Sequence, residues 1–259
     1  MNNNPIGIFD SGVGGTSIFK AIHHLLPQEN IIYLADSKNA PYGKKSKSEI
    51  LKLSIKNTEL LLNKGCKIIV VACNTATTNA IAELRSKYDM RFIGIEPAIK
   101  PASLQTKTKA IGILATQGTL SSALFHNTLN LYSENIQVIE QEGRGIVELI
   151  ETEKLDSKEM KILLEKYLQP MLRANIDHLV LGCTHYPYLI PTLEKLLPKN
   201  VKIIDSGAAV ARQTKAVLQR NNLLNETNTY PEISFYSNGN VEVLKDLVNK
   251  DFNVEFLEF

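Results

Sequence analysis

Tryptophan is absent from this 259-residue chain, and cysteine occurs only three times, with no C-x-x-C pair. Three widely spaced cysteines do not suit the disulfide framework of a small secreted protein, and they fit a reducing compartment. The first residues lack the basic and apolar segments of a signal peptide, and no apolar run approaches the ~20 residues of a membrane span. We therefore expect a soluble, cytoplasmic protein that has no membrane partner.

The chain also lacks an excess of charge of either sign. It carries 29 basic and 27 acidic residues, a formal net charge of +2. Such a balance creates no bulk field that would attract nucleic acid or an anionic membrane, so neither partner is expected. The hydrophobic fraction of 44% is ample for a core, and the length allows one large α/β unit or two domains.

Two of the cysteines follow apolar runs that lack polar alternation. Residues 67–72 lead to Cys73, and residues 178–182 lead to Cys183. Such runs are typical of parallel strands covered on both faces, and ligands of parallel sheets bind beyond the carboxyl ends of the strands. Each thiol is therefore expected at a sheet edge where a ligand would bind. The third cysteine, Cys66, follows a helix-ending glycine and is interpreted as a small buried residue.

The sequence around each thiol recurs at a similar spacing. The offset between Cys73 and Cys183 is 110 residues (183 − 73), and the similar strands around Gly7 and Gly112 are offset by 105 (112 − 7). Two repeated segments with similar offsets predict that one half of the chain is a duplicate of the other, with one thiol in each copy. Pseudo-symmetric halves that face each other would hold the two thiols on opposite sides of one cleft.

Strand and helix patterns alternate along the chain, which predicts an α/β fold with largely parallel sheets flanked by helices. Helices are expected, among other places, from about residue 77 to 88 and from about 121 to 131. Residues 201–207 repeat the strand, Asp-Ser-Gly and helix pattern of the first half, so the chain is expected to cross back. We predict a discontinuous first domain of residues 1–97 plus 205–259 and a second domain of residues 98–204, with the active site in the cleft between them.

A glycine-rich turn follows the first strand at residues 10–15, and Thr16 then opens a helix. A helix N-terminus offers free backbone N–H groups to a phosphate or a carboxylate. The turn does not satisfy G-x-G-x-x-G, so NAD is rejected.

Two thiols in one cleft could be a redox pair, metal ligands, a nucleophile with a spare, or two acid/base groups. Redox pairs favour C-x-x-C, and zinc ligands often come in close pairs, a pattern that Cys73, Cys183 and His185 do not supply. No metal site is therefore expected. A nucleophile would account for Cys73 ahead of a helix N-terminus but not for the second thiol. Two-base proton transfer at one carbon uses both thiols, and Asp10 and His185 are candidates to manage their protons. In simpler interpretations, Asp10 caps a helix and His185 is a surface histidine.

These residues belong to five ordered motifs. The motifs are Phe9-Asp10-Ser11-Gly12-Val13-Gly14-Gly15, Pro41-Tyr42-Gly43, Val71-Ala72-Cys73-Asn74-Thr75-Ala76, Ile95-Glu96-Pro97 and Leu181-Gly182-Cys183-Thr184-His185-Tyr186-Pro187. In these motifs, which span most of the chain, the sequence resembles the glutamate racemases of the cofactor-independent aspartate/glutamate racemase family.

The resemblance implies a two-domain isomerase, usually a homodimer, that interconverts L- and D-glutamate and supplies D-glutamate for peptidoglycan and cell-wall biogenesis. It implies no cofactor, neither pyridoxal phosphate nor metal. Cys73 and Cys183 would be the acid/base pair, with Cys73 serving D-glutamate and Cys183 serving L-glutamate, and Asp10 and His185 would assist them. The residues expected to bind substrate are Asp10, Ser11, Tyr42, Gly43, Asn74, Thr75, Thr116, Thr184 and His185.

The resemblance also implies a carboxylate that orients the histidine, and the run 146–151 assigns this role to Glu151. Residues 141–145, just before that run, depart from the family pattern. Two other functions stay open on the sequence alone. One is a racemase for aspartate or for acidic amino acids in general, because pocket shape sets substrate length. The other is a non-catalytic, two-lobed amino-acid-binding protein.

Overall fold

The computed structural model describes residues 2–227, 230–248 and 252–259. Its strands are β1 (Ile6–Asp10), β2 (Ile31–Ala35), β3 (Ile68–Val71), β4 (Phe92–Gly94), β5 (Ala110–Ala115), β6 (Gln137–Glu142), β7 (His178–Gly182), β8 (Lys202–Ile204), β9 (Ile233–Ser237) and β10 (Asn253–Phe256). Its helices are α1 (Thr16–Leu25), α2 (Lys47–Asn63), α3 (Asn74–Lys87), α4 (Ile99–Gln105), α5 (Gln117–Leu120), α6 (Ala123–Tyr132), α7 (Ile146–Glu151), α8 (Lys158–Arg173), α9 (Ile190–Leu196), α10 (Gly207–Arg220) and α11 (Val241–Leu247). Each helix of these residues is too short or too polar to span a bilayer.

The strands form two sheets, and every paired strand runs parallel to its neighbour. The first sheet has the order β10-β9-β2-β1-β3-β4, and the second has the order β6-β5-β7-β8. The α/β class with two parallel sheets flanked by helices, predicted from the sequence, is confirmed.

The four strands of the second sheet repeat the order β2-β1-β3-β4 of the first. Even the register is repeated, because Phe9 lies opposite Val71 and Leu114 lies opposite Leu181. Leu114 follows Phe9 by 105 residues (114 − 9), and Leu181 follows Val71 by 110 residues (181 − 71). These are the two offsets found in the sequence. The strands β9 and β10 extend the first sheet, and the described part of the chain has no counterparts to them in the second sheet.

The central strands are buried because helices cover both sheet faces. Every residue of β1, β3, β5 and β7 is buried, whereas β6 is exposed or half-buried along its length. Parallel strands covered on both faces carry continuous apolar runs, the pattern that predicted them. The polar residues that follow β1, β3, β5 and β7 therefore begin where these buried strands end.

Helix capping explains where several helices start. Ser46 and Glu49 form a capping box at the start of α2. The helix expected from residue 77 begins earlier, at Asn74, because Cys73 itself is the N-cap. The helix expected from about residue 121 to 131 is α6, which begins at Ala123 because Ser122 caps it by accepting from the Phe125 N–H at 3.2 Å.

The chain passes from one sheet to the other after β4 and returns after β8. The two crossings are joined where the Ser206 hydroxyl donates to the Glu96 carbonyl at 2.6 Å. After the return, α10 packs on α1 of the first sheet. The domain boundaries at residues 97/98 and 204/205 remain a prediction.

Candidate active site

Cys73 lies at the carboxyl end of β3, where it is 4% exposed and caps α3. Its sulfur accepts from the Ala76 N–H at 3.4 Å, and its thiol donates to Ser11 Oγ at 3.5 Å. Burial and the nearby carboxylate of Asp10 raise the pKa of the Cys73 thiol far above its ordinary value. With this raised pKa, Cys73 holds its proton near neutral pH.

Cys183 lies at the equivalent end of β7 and is 7% exposed. Its sulfur is 3.8 Å from Nδ1 of His185, a buried side chain two residues further on. The two thiols therefore differ in their neighbours, since Cys73 has a carboxylate nearby and Cys183 has an imidazole.

Asp10, the last residue of β1, is completely buried and links the two halves. Its Oδ2 accepts from the N–H groups of Gly12 at 3.2 Å and Gly15 at 3.0 Å, and its Oδ1 accepts from the Thr184 hydroxyl at 3.2 Å. Burial raises the pKa of Asp10 to about 6 against the opposing effects of the His185 charge and the backbone donors. Asp10 can therefore gain or lose a proton near neutral pH.

Glu151, at the end of α7, contacts His185, as expected from the sequence. Its Oε1 is 2.6 Å from His185 Nε2, and the same oxygen accepts from the Val13 N–H at 2.7 Å. Burial disfavours the imidazolium, but contacts with Cys183 and Glu151 outweigh it and raise the pKa of His185 well above its ordinary value. The pair is arranged so that a proton on Nε2 leaves Nδ1 facing the Cys183 sulfur.

Asn74 is 3% exposed, and among the described residues neither its amide nitrogen nor its amide oxygen has a hydrogen-bond partner. A buried polar group without a partner costs about 1–3 kcal/mol, so this amide is expected to meet a ligand. The next residue, Thr75, forms a hydroxyl cluster with Thr116 and Thr119. The hydroxyl oxygens are 2.8 Å apart for Thr75 and Thr116, 3.1 Å for Thr116 and Thr119, and 3.4 Å for Thr75 and Thr119. Gly43 packs on the same cluster, since a Cβ there would lie 2.8 Å from Cβ of Thr116.

Tyr42 is buried, but its hydroxyl is already engaged inside the protein. It donates to Asp36 and accepts from Asn57 Nδ2 at 3.2 Å. Any contact between Tyr42 and a substrate would therefore use the main chain. The other residues expected to bind substrate, Ser11 and Thr184, lie beside Cys73 and Asp10 respectively.

The glycine-rich turn is packed against the second half. A Cβ at Gly12 would lie 1.9 Å from Oε1 of Glu151, and one at Gly14 would lie 2.2 Å from Nδ1 of His185. The expected free N–H groups are occupied, because those of Gly12, Val13 and Gly15 donate to Asp10 or Glu151. These glycines allow close approach of two acid/base side chains.

Sequence reasoning missed Ser37, Asp36 and Asn57. Ser37 donates to Oε2 of Glu151 at 3.0 Å, and Asp36 and Asn57 hold Tyr42. The only available signal for Ser37 and Asp36 was their place in a polar loop directly after a strand, at the rim where loops carry function. Asn57 lies within α2 and gave no signal.

The family model for Asp/Glu/hydantoin racemases matches residues 6–214. The chain belongs to this racemase family. A curated relative, the glutamate racemase of Herpetosiphon aurantiacus, is 45% identical over 92% of this chain and 94% of its own length.

Solved structures of family members agree with the fold over nearly the whole length. A glutamate racemase from Escherichia coli, in complex with L-glutamate and the activator UDP-MurNAc-ala, is 33% identical with a TM-score of 0.87, covering 98% of both chains. The glutamate racemase of Francisella tularensis, in complex with D-glutamate, is 30% identical with a TM-score of 0.86, covering 100% of this chain and 98% of that one. An aspartate racemase from Picrophilus torridus is 20% identical with a TM-score of 0.57, over 85% of this chain and 95% of that one, and shares the fold alone.

Proposed function

We propose that this racemase-family chain is a glutamate racemase that interconverts L- and D-glutamate by proton transfer between two cysteines, without a cofactor. One observation carries the proposal. Two buried free thiols, Cys73 and Cys183, lie at equivalent strand ends of two repeated sheets. The glutamate racemases described above support glutamate as the substrate, since they match this chain over nearly its whole length.

In the direction from L- to D-glutamate, Cys183 would remove the α-proton. His185 would take the thiol proton at Nδ1 while its Nε2–H is held by Glu151, which leaves the thiolate that acts as base. Cys73 would then deliver its proton to the opposite face of the same carbon. Its raised pKa suits this step, because the group must arrive as a thiol.

In the opposite direction the two thiols would exchange roles, and Asp10 would assist Cys73. A carboxyl group with a pKa of about 6 is divided between acid and base near neutral pH, so it can accept a proton and return it. Each enantiomer would thus meet a different base on a different side.

The substrate carries two carboxylates, and the site offers polar groups to bind them. The unpartnered amide of Asn74, the main chain at Tyr42 and Gly43, and the hydroxyls of Ser11, Thr75, Thr116 and Thr184 are the proposed contacts. A hydrogen bond to a charged group is typically worth about 1.5–3 kcal/mol, so a few of these contacts would fix the α-carbon between the thiols.

In the cell, the proposed role is the supply of D-glutamate for peptidoglycan from the cytoplasm, by a homodimer. Loss of growth without external D-glutamate after gene deletion would support the role. Light scattering of the purified protein would measure the oligomeric state.

The decisive experiment follows L-glutamate in deuterated water with no added cofactor or metal. D-glutamate should carry solvent deuterium at Cα from the first turnover, while unreacted L-glutamate stays largely protonated early. Cys73→Ala and Cys183→Ala should each suppress racemisation in both directions by large, comparable factors, because each direction needs both thiols. Cys66→Ala is the matched control and should retain activity.

Early residual substrate as deuterated as the product, or near-normal turnover by Cys183→Ala, would exclude the two-thiol mechanism. Chiral chromatography with L-aspartate tests the alternative function, a racemase for aspartate or for acidic amino acids in general. Turnover of aspartate without turnover of glutamate would show that aspartate, and not glutamate, is the substrate. Binding of glutamate with no turnover of either amino acid would indicate a non-catalytic binding protein.

A further inference from the structure

Ser37 has no part in the proposed proton transfer, yet it touches Glu151. It follows β2 in the first half, and its hydroxyl donates to Oε2 of Glu151, which ends α7 in the second half, at 3.0 Å. Resting on the proposed function, we propose that Ser37 is a positioning residue. It holds the Glu151 carboxylate from the opposite half and so sets the His185–Cys183 pair for proton removal from L-glutamate.

The Glu151 carboxylate needs more than one partner to be fixed. The terminal torsion of a glutamate side chain is broad, so a single hydrogen bond leaves the carboxylate plane free to turn. Oε1 must serve both the Val13 N–H and His185 Nε2, at 2.7 and 2.6 Å. The bond from Ser37 to Oε2 sets the plane and keeps Oε1 directed at His185.

Ser37 is itself held by the turn after β9. The N–H of the next residue, Lys38, donates to Oδ1 of Asn238 at 3.0 Å, and Asn238 is 3% exposed. Gly239 packs so closely that a Cβ there would lie 2.7 Å from Cβ of Ser37. Ser37 is therefore a fixed donor and not a mobile loop hydroxyl.

The partners of Glu151 come from both halves. Val13 and Ser37 belong to the first half, whereas Glu151, His185 and Cys183 belong to the second. Contacts across the two halves therefore orient the His185–Cys183 pair.

The test compares Ser37→Ala with the wild-type enzyme, using glutamate of each configuration deuterated at Cα. Because the equilibrium constant between the enantiomers is 1, kcat/KM of Ser37→Ala must fall by the same factor for L- and D-glutamate. We expect this factor to be about tenfold. The proton transfer to Cys183 becomes more rate-limiting. The isotope effect on kcat/KM should therefore rise with deuterated L-glutamate and fall with deuterated D-glutamate. Ser37→Thr keeps the hydroxyl and should restore wild-type values.

Tyr188→Phe is the matched control, because the Tyr188 hydroxyl contacts Thr16 across the same two halves without touching Glu151. Its two isotope effects should match those of the wild type. Wild-type isotope effects in Ser37→Ala, or the same opposed shift in Tyr188→Phe, would overturn the role of Ser37. Absence of racemisation by the wild-type protein would instead refute the proposed function, so the two failures are distinguishable.

Discussion

Asp10 and His185 give the two thiols different chemical neighbours. The carboxylate near Cys73 is completely buried and receives three hydrogen bonds, whereas the imidazole beside Cys183 is tied to a second carboxylate. Burial raises the pKa of Asp10, and the contacts of His185 raise its pKa as well. Both groups can therefore hold a proton at a pH where an exposed carboxylate or imidazole would release it.

The raised pKa of Asp10 makes the stability of the protein depend on pH in a defined direction. The folded state, with a pKa of about 6, binds the proton more tightly than the unfolded state, for which the value is 3.8. This contribution to the free energy of unfolding is fully present below pH 3.8 and is lost as pH rises to 6. Relative to Asp10→Asn, the wild-type protein should lose on the order of 3 kcal/mol over this range.

Urea unfolding of both proteins between pH 4 and pH 7 measures the difference, and groups other than Asp10 largely cancel in the comparison. A difference in unfolding free energy that does not change with pH, or that grows in favour of the wild type as pH rises, would contradict the assigned pKa.

The glycine-rich turn between β1 and α1 determines how closely the second half approaches. Gly14→Ala places a Cβ 2.2 Å from Nδ1 of His185 and 2.6 Å from its backbone nitrogen, so the histidine must move. We expect racemase activity to fall more than a hundredfold, because a displacement of about 1 Å can cost this much in rate.

Gly65→Ala is the control for Gly14→Ala. Gly65 has φ +74° and open space around it, so an alanine there strains only the backbone and costs roughly 1–2 kcal/mol. Its kcat should be unchanged while its melting temperature falls. Equal activities of the two variants would show that the turn does not set the position of His185.

The elements that carry the thiols could be predicted because their signal is local. Apolar runs before Cys73 and Cys183 identify buried strands, and the polar residues after them identify the rim. The contacts that orient these groups could not be predicted, since Ser37 meets Glu151 across 114 positions and Lys38 meets Asn238 across 200. The periodicity of apolar residues carries no information about pairs so far apart in the sequence. The strand β10 was also missed, because its residues are mostly exposed and it pairs at a sheet edge.

The residues proposed to bind substrate come from both sheets, so a ligand bound there should stabilise the whole molecule. A ligand that binds only the folded state adds about 2.7 kcal/mol at a hundred times its Kd. Both enantiomers of glutamate should therefore raise the melting temperature. Without glutamate, Asn74→Ala should keep the melting temperature within a few degrees of the wild type, because the amide has no partner to lose among the residues that the structure describes.

The same variant should show a smaller rise with glutamate and a higher KM. Differential scanning fluorimetry over a glutamate titration measures both effects. A full glutamate-induced shift in Asn74→Ala would show that the buried amide does not bind substrate.

The repeated strand order bears on the evolutionary origin of the molecule. If the gene arose by duplication and fusion, its ancestor was a half-sized protein that paired with a copy of itself and offered two identical thiols. The copies have since diverged at matched positions, where Asp10 corresponds to Ala115 (10 + 105) and Thr75 corresponds to His185 (75 + 110). An equilibrium constant of 1 obliges kcat/KM to stay equal for the two enantiomers, but kcat is under no such constraint. Divergence of the two copies therefore gave selection a means to set the maximal rate separately for each mirror-image substrate.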